Sequence, residues 1–402
     1  MFIKKYILLF LFLFLVDTAK SQDVLGTKIS SKTKKIVVGA ERVTEYLPIL
    51  IDKTIAIVAN QTSLIGNIHL VDSLLNLKQD IKLVFAPEHG FRGTADAGEH
   101  LSNNTDKTTG LPIISLYGDK NKPSKEDLKD VDLVIFDIQD VGVRYYTYVT
   151  TMHYVMEACA ENDIEFLVLD RPNPNGFYID GPVLSPEFAS FVGRHPIPLV
   201  HGLTIAEYAR MINEEGWLKD GIKCKLQYIV CENYTHESIY RLPVKPSPNL
   251  PNMRSIYLYP SLGLFEGTNI SVGRGTDAPF QVLGHPKYKK FEFGFTPESK
   301  PGAKYPPHNG KLCYGFDLTK IKEQDLAREK QITLNWVMVF YQNSKSKRKF
   351  FNSFFTNLAG TDKLQKQIES GMLEKDIRVT WQEEIANYKQ ARKKYLLYKD
   401  FE

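Results

Sequence analysis

The sequence predicts an α/β protein: a mainly parallel sheet with helices on both faces, followed by a second, smaller α+β domain. Three observations lead there. Short apolar runs at 54–59, 81–86, 112–117, 132–138 and 165–169 alternate with segments of helical period, the pattern of strands joined by right-handed crossovers. Several of these runs are apolar almost throughout, as strands buried on both faces must be. Finally, Pro243, Pro246, Pro248 and Pro251 fall within 242–252, a stretch that resists helix and sheet interior alike and so marks a domain junction. A chain of 402 residues also exceeds the usual size of one core.

At the amino terminus, Lys4 and Lys5 precede an apolar stretch at 6–16, and Ala19-Lys20-Ser21 offers small residues at the cleavage spacing. Residues 1–21 therefore read as a signal peptide cleaved near Ser21, and the protein is expected to be exported, periplasmic or secreted, with no later membrane span. Residues 22–35 are polar and lysine-rich and form a flexible lead-in, so the α/β domain is expected over 36–245 and the second domain over 246–402.

Within the first domain a strand at 54–59 ends in Asn60-Gln61-Thr62, and a helix at 69–77 leads to the strand at 81–86. That strand runs into Pro87-Glu88-His89-Gly90-Phe91-Arg92-Gly93. Pro87 cannot donate to a ladder, and the glycines permit a turn, so Glu88 is set at the strand's carboxyl end. The polar stretch 91–110 is longer than a mere connection needs and reads as a functional flap. A strand at 112–117, a helix near 125–129 and a strand at 132–138 follow, the last ending in Asp137-Ile138-Gln139-Asp140. An aromatic-rich helix at 145–161 then leads to the strand at 165–169 and to Asp170-Arg171-Pro172-Asn173-Pro174-Asn175-Gly176. After His201, Thr204 and Glu207 have the spacing of a helix capping box, and 222–231 is strand-like. The second domain opens with 257–267, where Glu266 precedes Gly267, and continues through Gly273-Arg274-Gly275-Thr276. Residues 331–341 read as a strand, with a helix as the alternative, and Thr380 with Glu383 caps the last of two terminal helices.

Asn60, Glu88, His89, Asp137, Asp140, Asp170, Arg171 and Asn173 all follow the carboxyl ends of strands, which in open α/β sheets form the ligand-binding rim. A net charge of +4 with scattered basic residues argues against nucleic acid as a partner. Dinucleotide, P-loop, nucleophile-elbow and zinc-protease signatures are absent, so no cofactor is expected. The pairs Glu88-His89 and Glu99-His100 offer metal-ligating groups, but adjacent residues of an extended chain point apart, and no metal is expected either. Four cysteines allow three pairings, but a domain of this size needs none; Cys159 and Cys313 read as buried free thiols, and Cys224 with Cys231, flanking one strand, is the one pairing left open. The chemistry that remains is a carboxylate pair, Glu88 from the sheet rim and Glu266 from the second domain. Glycoside hydrolysis needs two such groups, one to protonate the leaving oxygen and one to act ionised as nucleophile or base.

Five motifs in order sharpen this: Ala59-Asn60-Gln61-Thr62, Pro87 to Gly93, Asp137 to Tyr148, Asp170 to Gly176, and Phe265-Glu266-Gly267-Thr268-Asn269 with Gly273-Arg274-Gly275-Thr276. Through them the sequence resembles the exo-β-N-acetylmuramidase family of peptidoglycan-recycling glycosidases. The resemblance implies a Rossmann-like domain with a smaller carboxyl-terminal domain closing a cleft, and release of N-acetylmuramic acid from the non-reducing end of peptidoglycan fragments. On that footing Glu88 is the expected general acid/base and Glu266 the second carboxylate. The lactyl carboxylate of the substrate calls for a guanidinium, for which Arg92, Arg144, Arg171 and Arg274 are candidates. Asn60, Asp140, Asn173 and Asn175 are candidates for sugar hydroxyls and the acetamido group, and Tyr145 and Tyr146 for packing on the pyranose. His89 is expected to orient Glu88 or bind substrate, and His201 is a further binding candidate. The alternative is a periplasmic sugar- or muropeptide-binding protein without catalysis.

Overall fold

The computed structural model describes residues 34–93 and 104–402. The expected signal peptide, nearly all of the lead-in, the Glu99-His100 pair and part of the 91–110 loop lie outside the described residues.

The apolar runs become strands β1 (Ile55–Ala59), β2 (Ile81–Ala86), β4 (Pro112–Ser115), β5 (Leu133–Asp137) and β6 (Glu165–Leu169). With β3 (Asn104–Thr105) and β9 (Lys225–Ile229), they form a seven-stranded sheet among the described residues, in the order β9-β6-β5-β1-β2-β4-β3. Every pair is parallel except β3 with β4. In β1 and β5 each residue is buried, and successive residues face two different cores. Ala56, Val58, Val134 and Phe136 join one cluster; Ile55, Ile57, Leu133 and Ile135 join the other. Helix α1 (Leu70–Asn76) covers the second face through Leu70, Val71 and Leu74. Helices α2 (Tyr148–Glu161) and α3 (Ile205–Glu214) cover the first. This is the period-two division expected of strands sandwiched between helix layers.

Thr204 and Glu207 make the capping box expected for α3. A short antiparallel pair, β7 (Asp180–Val183) with β8 (Pro198–Val200), precedes α3. Beyond the proline-rich stretch, Asn252 caps helix α4 (Met253–Leu262) by accepting from Ser255 N at 3.0 Å. The smaller α+β part contains an antiparallel sheet ordered β10 (Val282–His285), β12 (Cys313–Asp317), β11 (Phe293–Phe295), with helices α5 (Asn335–Asn343), α6 (Phe354–Ala359) and α7 (Gln382–Arg392) after it. From Ile36 to Glu402 the chain packs as one unit. Its carboxyl-terminal segment returns to the first domain, where Tyr388 donates to His201 O at 2.7 Å and Tyr398 to Asp170 Oδ2 at 2.5 Å.

Three local expectations change. Residues 125–129 are turns rather than helix; Asp127 Oδ2 accepts from both Ser124 N and Ser124 Oγ at 2.6 Å and closes the chain locally. Of residues 331–341, those from Asn335 onward resolve in favour of helix, as α5. Thr380 does not cap α7: its hydroxyl donates to Ile377 O of the preceding turn, and Trp381 stands at the N-cap. All four cysteines are buried free thiols, Cys224 and Cys231 included. Among the described residues no helix is long and apolar enough to cross a membrane.

Candidate active site

The β2 ladder stops at Pro87, and Gly90 N donates to Pro87 O at 2.9 Å to close a tight turn. His89 inside it has φ of 71°, in the left-handed region, and Gly90 follows at 78°. Backbone of that kind in a non-glycine residue costs roughly 1–3 kcal/mol and persists only where its surroundings over-determine it. The turn delivers Glu88 and His89 to the lining of a cavity of about 510 Å³. Glu88 Oε2 accepts from Thr147 Oγ1 at 2.8 Å, and Glu88 also hydrogen-bonds Tyr117. Burial first, and then the Glu88 carboxylate, hold the Tyr117 hydroxyl well above its usual range. Tyr117 therefore keeps its proton and serves Glu88 as a donor.

The smaller part supplies Glu266, on the single 3-10 turn Gly263–Gly267 that continues α4, and Arg274, whose Nε and Nη2 reach Glu266 Oε1 at 2.9 and 2.8 Å. Burial alone would lower the Arg274 pKa, but Glu266 outweighs it and the guanidinium is held above its ordinary value. Tyr259 stands in the fields of Glu266, Arg274 and Glu88 together, and burial followed by Glu266 drives its hydroxyl pKa far up. Both carboxylates and Arg274 thus share one cavity.

Of the residues expected from sequence, Glu88, His89, Tyr145, Tyr146, Glu266 and Arg274 line this cavity. The others are built into the frame around it. Asn60 Oδ1 accepts from Thr62 N and Oγ1 at 2.8 and 2.6 Å, closing the turn after β1. Arg92 pairs with Asp106 and Asp72 at 2.8 and 3.5 Å. Arg171 is locked onto fully buried Asp137 at 2.6 Å. Arg144 donates to four carbonyls, those of Pro182, Ile197, Leu358 and Ala359, and burial lowers its pKa to about 10. Asp140 Oδ2 accepts from Gly142 N at 2.6 Å and lies 3.7 Å from His201 Nε2. Asn173 and Asn175 donate to Leu203 O and Val141 O, both at 2.8 Å. Tyr145 and Tyr146 combine the two roles: each lines the cavity while its hydroxyl donates to a backbone carbonyl near the junction, Tyr259 O at 2.7 Å and Pro246 O at 2.8 Å.

The cavity also contains residues that sequence reasoning did not single out, among them Tyr117, Thr147, Tyr148, Tyr259, Lys304 and Tyr305. Thr147 and Tyr148 lie inside a quoted motif, and Tyr117 ends an expected strand, so those positions carried a signal. Tyr259 sits in an apolar helix and Lys304-Tyr305 in an irregular loop, with nothing in either context to mark them.

Residues 55–254 match the profile described as exo-beta-N-acetylmuramidase NamZ, N-terminal, and residues 257–398 match its C-terminal counterpart. The chain belongs to the exo-β-N-acetylmuramidase family. As a member it is a glycoside hydrolase, and the boundary between the two matches falls just after the proline-rich stretch. A peptidoglycan β-N-acetylmuramidase of Bacillus subtilis (strain 168) is 38% identical over 408 aligned positions, covering 96% of this chain and 97% of its own. Two crystal structures of DUF1343 family proteins from Bacteroides fragilis share the fold. One is 47% identical with a TM-score of 0.85, over 91% of this chain and 100% of its own. The other is 27% identical with a TM-score of 0.73, over 90% and 99%.

Proposed function

We propose that this family member removes N-acetylmuramic acid from the non-reducing end of peptidoglycan fragments, with Glu88 and Glu266 as its carboxylate pair. The observation that carries the reading is that the two glutamates, one from each part of the chain, line one cavity. A carboxylate paired with a partly buried guanidinium suits the group that acts ionised, which assigns Glu266 as nucleophile or base. That leaves Glu88, which bonds Thr147 and Tyr117, as the group assigned to pass a proton to the glycosidic oxygen. Among the four candidate arginines, Arg274 lines the cavity. It holds Glu266 through Nε and Nη2, and we assign the lactyl carboxylate to the same guanidinium.

The test is release of free N-acetylmuramic acid from the disaccharide N-acetylmuramyl-N-acetylglucosamine by wild type and by Glu88→Gln. Release that the substitution abolishes supports the reading. Intact disaccharide bound equally well by both, with no release, would replace it with a sugar-binding protein. We further propose export of the mature protein after cleavage near Ser21, which amino-terminal sequencing of the protein recovered outside the cytoplasm checks.

A further inference from the structure

The mouth of the cavity carries aromatic surface that bond cleavage does not use. Among the described residues the exposed large aromatics are Tyr228, Tyr305 and Phe354, and two of these three, Tyr305 and Phe354, line this cavity. Isolated apolar residues on a surface need no explanation, but two exposed rings lining one cavity do.

The segment bearing Tyr305 is anchored on both sides. Asn249 Nδ2 donates to Gly302 O at 2.7 Å, and Ala303 N to Lys300 O at 2.9 Å. Beyond the ring, Pro306 and Pro307 fix their own φ, and Asn309 N donates to Pro306 O at 3.2 Å. Lys304 Nζ lies 5.6 Å from the centroid of the Tyr305 ring, while the residue as a whole remains 86% exposed. Phe354 opens α6, its N–H held by Asn352 Oδ1 at 2.9 Å. Both rings are therefore carried on fixed backbone and stand open to a ligand.

We propose that Tyr305 and Phe354 form a platform for the sugar that follows the residue being released, so that the substrates bound best are saccharides with at least one further pyranose on the leaving side. The proposal rests on the glycosidase reading above. An enzyme that removes a terminal residue must enclose that residue, and the remainder of the chain then has to lie across the mouth. Pyranose rings present flat C–H faces, and an aromatic face with its negative quadrupole is their natural partner. Because a tyrosine or phenylalanine ring has few torsions to freeze, such a platform binds at little cost in order.

The test compares two substrates that share the N-acetylmuramyl group: the disaccharide with N-acetylglucosamine as leaving group, and β-N-acetylmuramyl fluoride, which leaves no sugar to stack. The ratio of kcat/KM for disaccharide over fluoride is measured for wild type, Tyr305→Ala, Phe354→Ala and Tyr305→Trp. Loss of one stacked face is expected to lower that ratio by about three- to tenfold in either alanine variant, through KM more than kcat, and Tyr305→Trp to restore it. Turnover of the fluoride shows in each case that the variant is folded. Wild type that cleaves both compounds, with the same ratio in both alanine variants, overturns the platform alone. Wild type that cleaves neither overturns the glycosidase reading and the platform with it.

Discussion

Thr147 heads helix α2, yet its hydroxyl donates to Glu88 Oε2 at 2.8 Å instead of capping the helix. Threonine at an N-cap ordinarily accepts from a backbone N–H of the first turn, and here no side-chain cap is made. The sequence motif Arg144-Tyr145-Tyr146-Thr147-Tyr148 thus ends by joining a helix start to the candidate acid. Two of its members, Tyr145 and Tyr146, reach the junction carbonyls at the same time. This segment thus ties the two parts of the chain together at the cavity wall.

Replacing Thr147 by Val should therefore lower turnover without unfolding the protein. A hydrogen bond to a carboxylate contributes about 1.5–3 kcal/mol, which corresponds to roughly 10- to 100-fold in kcat if the bond matters in the transition state. No cap is lost, so the stability cost should be confined to this one bond, at most about 1.5–3 kcal/mol, and Thr147→Ser should recover most of the activity. Steady-state kinetics on the disaccharide, with a melting curve for each variant, decide the matter. Wild-type kcat in Thr147→Val would show that the bond only braces the turn.

Gly263 gives a second handle on the same wall. Its φ is ordinary, but a Cβ there would stand 2.4 Å from Tyr145 Cε2 and 2.5 Å from Tyr145 Oη. Gly263→Ala must displace the Tyr145 ring from its hydrogen bonds to Tyr259 O and Pro260 O. Overpacking of this kind costs about 1–3 kcal/mol. Because Tyr145 and Tyr259 both line the cavity, KM for the disaccharide should rise along with the drop in melting temperature. A variant that melts early but binds normally would place Tyr145 in the frame alone.

The fold was legible because the central strands are apolar on both faces, and continuous runs such as Ile55–Ala59 leave little choice of structure. The rim was legible too, since strand ends are visible as the points where such runs stop. What the sequence does not carry is which way a rim side chain turns. Asn60, Asp140, Asn173 and Asn175 follow strand ends, as a binding set would, but short polar side chains readily bond nearby backbone, and here they close their own loops or tie neighbouring ones. Conversely, Tyr259 and Tyr305 reach the cavity from a buried helix and an irregular loop, positions fixed by tertiary packing and not by any local pattern. The same limit explains Thr380, whose capping spacing is correct while its hydroxyl serves the preceding turn.

Arg171 separates a framework role from a binding role. Its guanidinium meets Asp137, a carboxylate with no exposed surface, through Nε and Nη2 at 2.6 and 2.9 Å. Removing one partner of a buried pair strands the other charge and costs about 3–5 kcal/mol. Arg171→Met should accordingly lose about that much in denaturant unfolding, and pairing it with Asp137→Asn should recover part of the loss. KM of the folded fraction should be unchanged. Retained stability with a raised KM would instead return Arg171 to the substrate.

Acid should weaken the fold through a buried histidine pair that is not part of the cavity lining. His195 Nε2 lies 3.0 Å from His153 Nδ1, its Nδ1 lies 3.1 Å from Tyr208 Oη, and its ring stacks on Trp217 at 4.8 Å. Burial, with Arg194 second, lowers His153 to about 4, and burial, with His153 second, holds His195 well below its usual value. Both are neutral in the folded protein near pH 7, whereas the unfolded chain protonates them near pH 6.5. Below that point the unfolded state binds more protons, so stability falls as pH falls, by about 1.4 kcal/mol per pH unit for each histidine. Asp170 opposes them: burial raises it to about 7, so the folded state takes up its proton first and gains stability on acidification. Asp170 offsets one of the two histidine shares, leaving the pair a net loss of about 1.4 kcal/mol per unit between roughly pH 6.5 and 5, and burial lowers His285 to about 4 and lowers His69 as well, so both steepen the loss in the same direction. Denaturant unfolding at a series of pH values measures that slope, and His195→Phe should flatten it by about one group's share. A slope unaltered by the substitution would mean that His195 is already charged inside the folded protein.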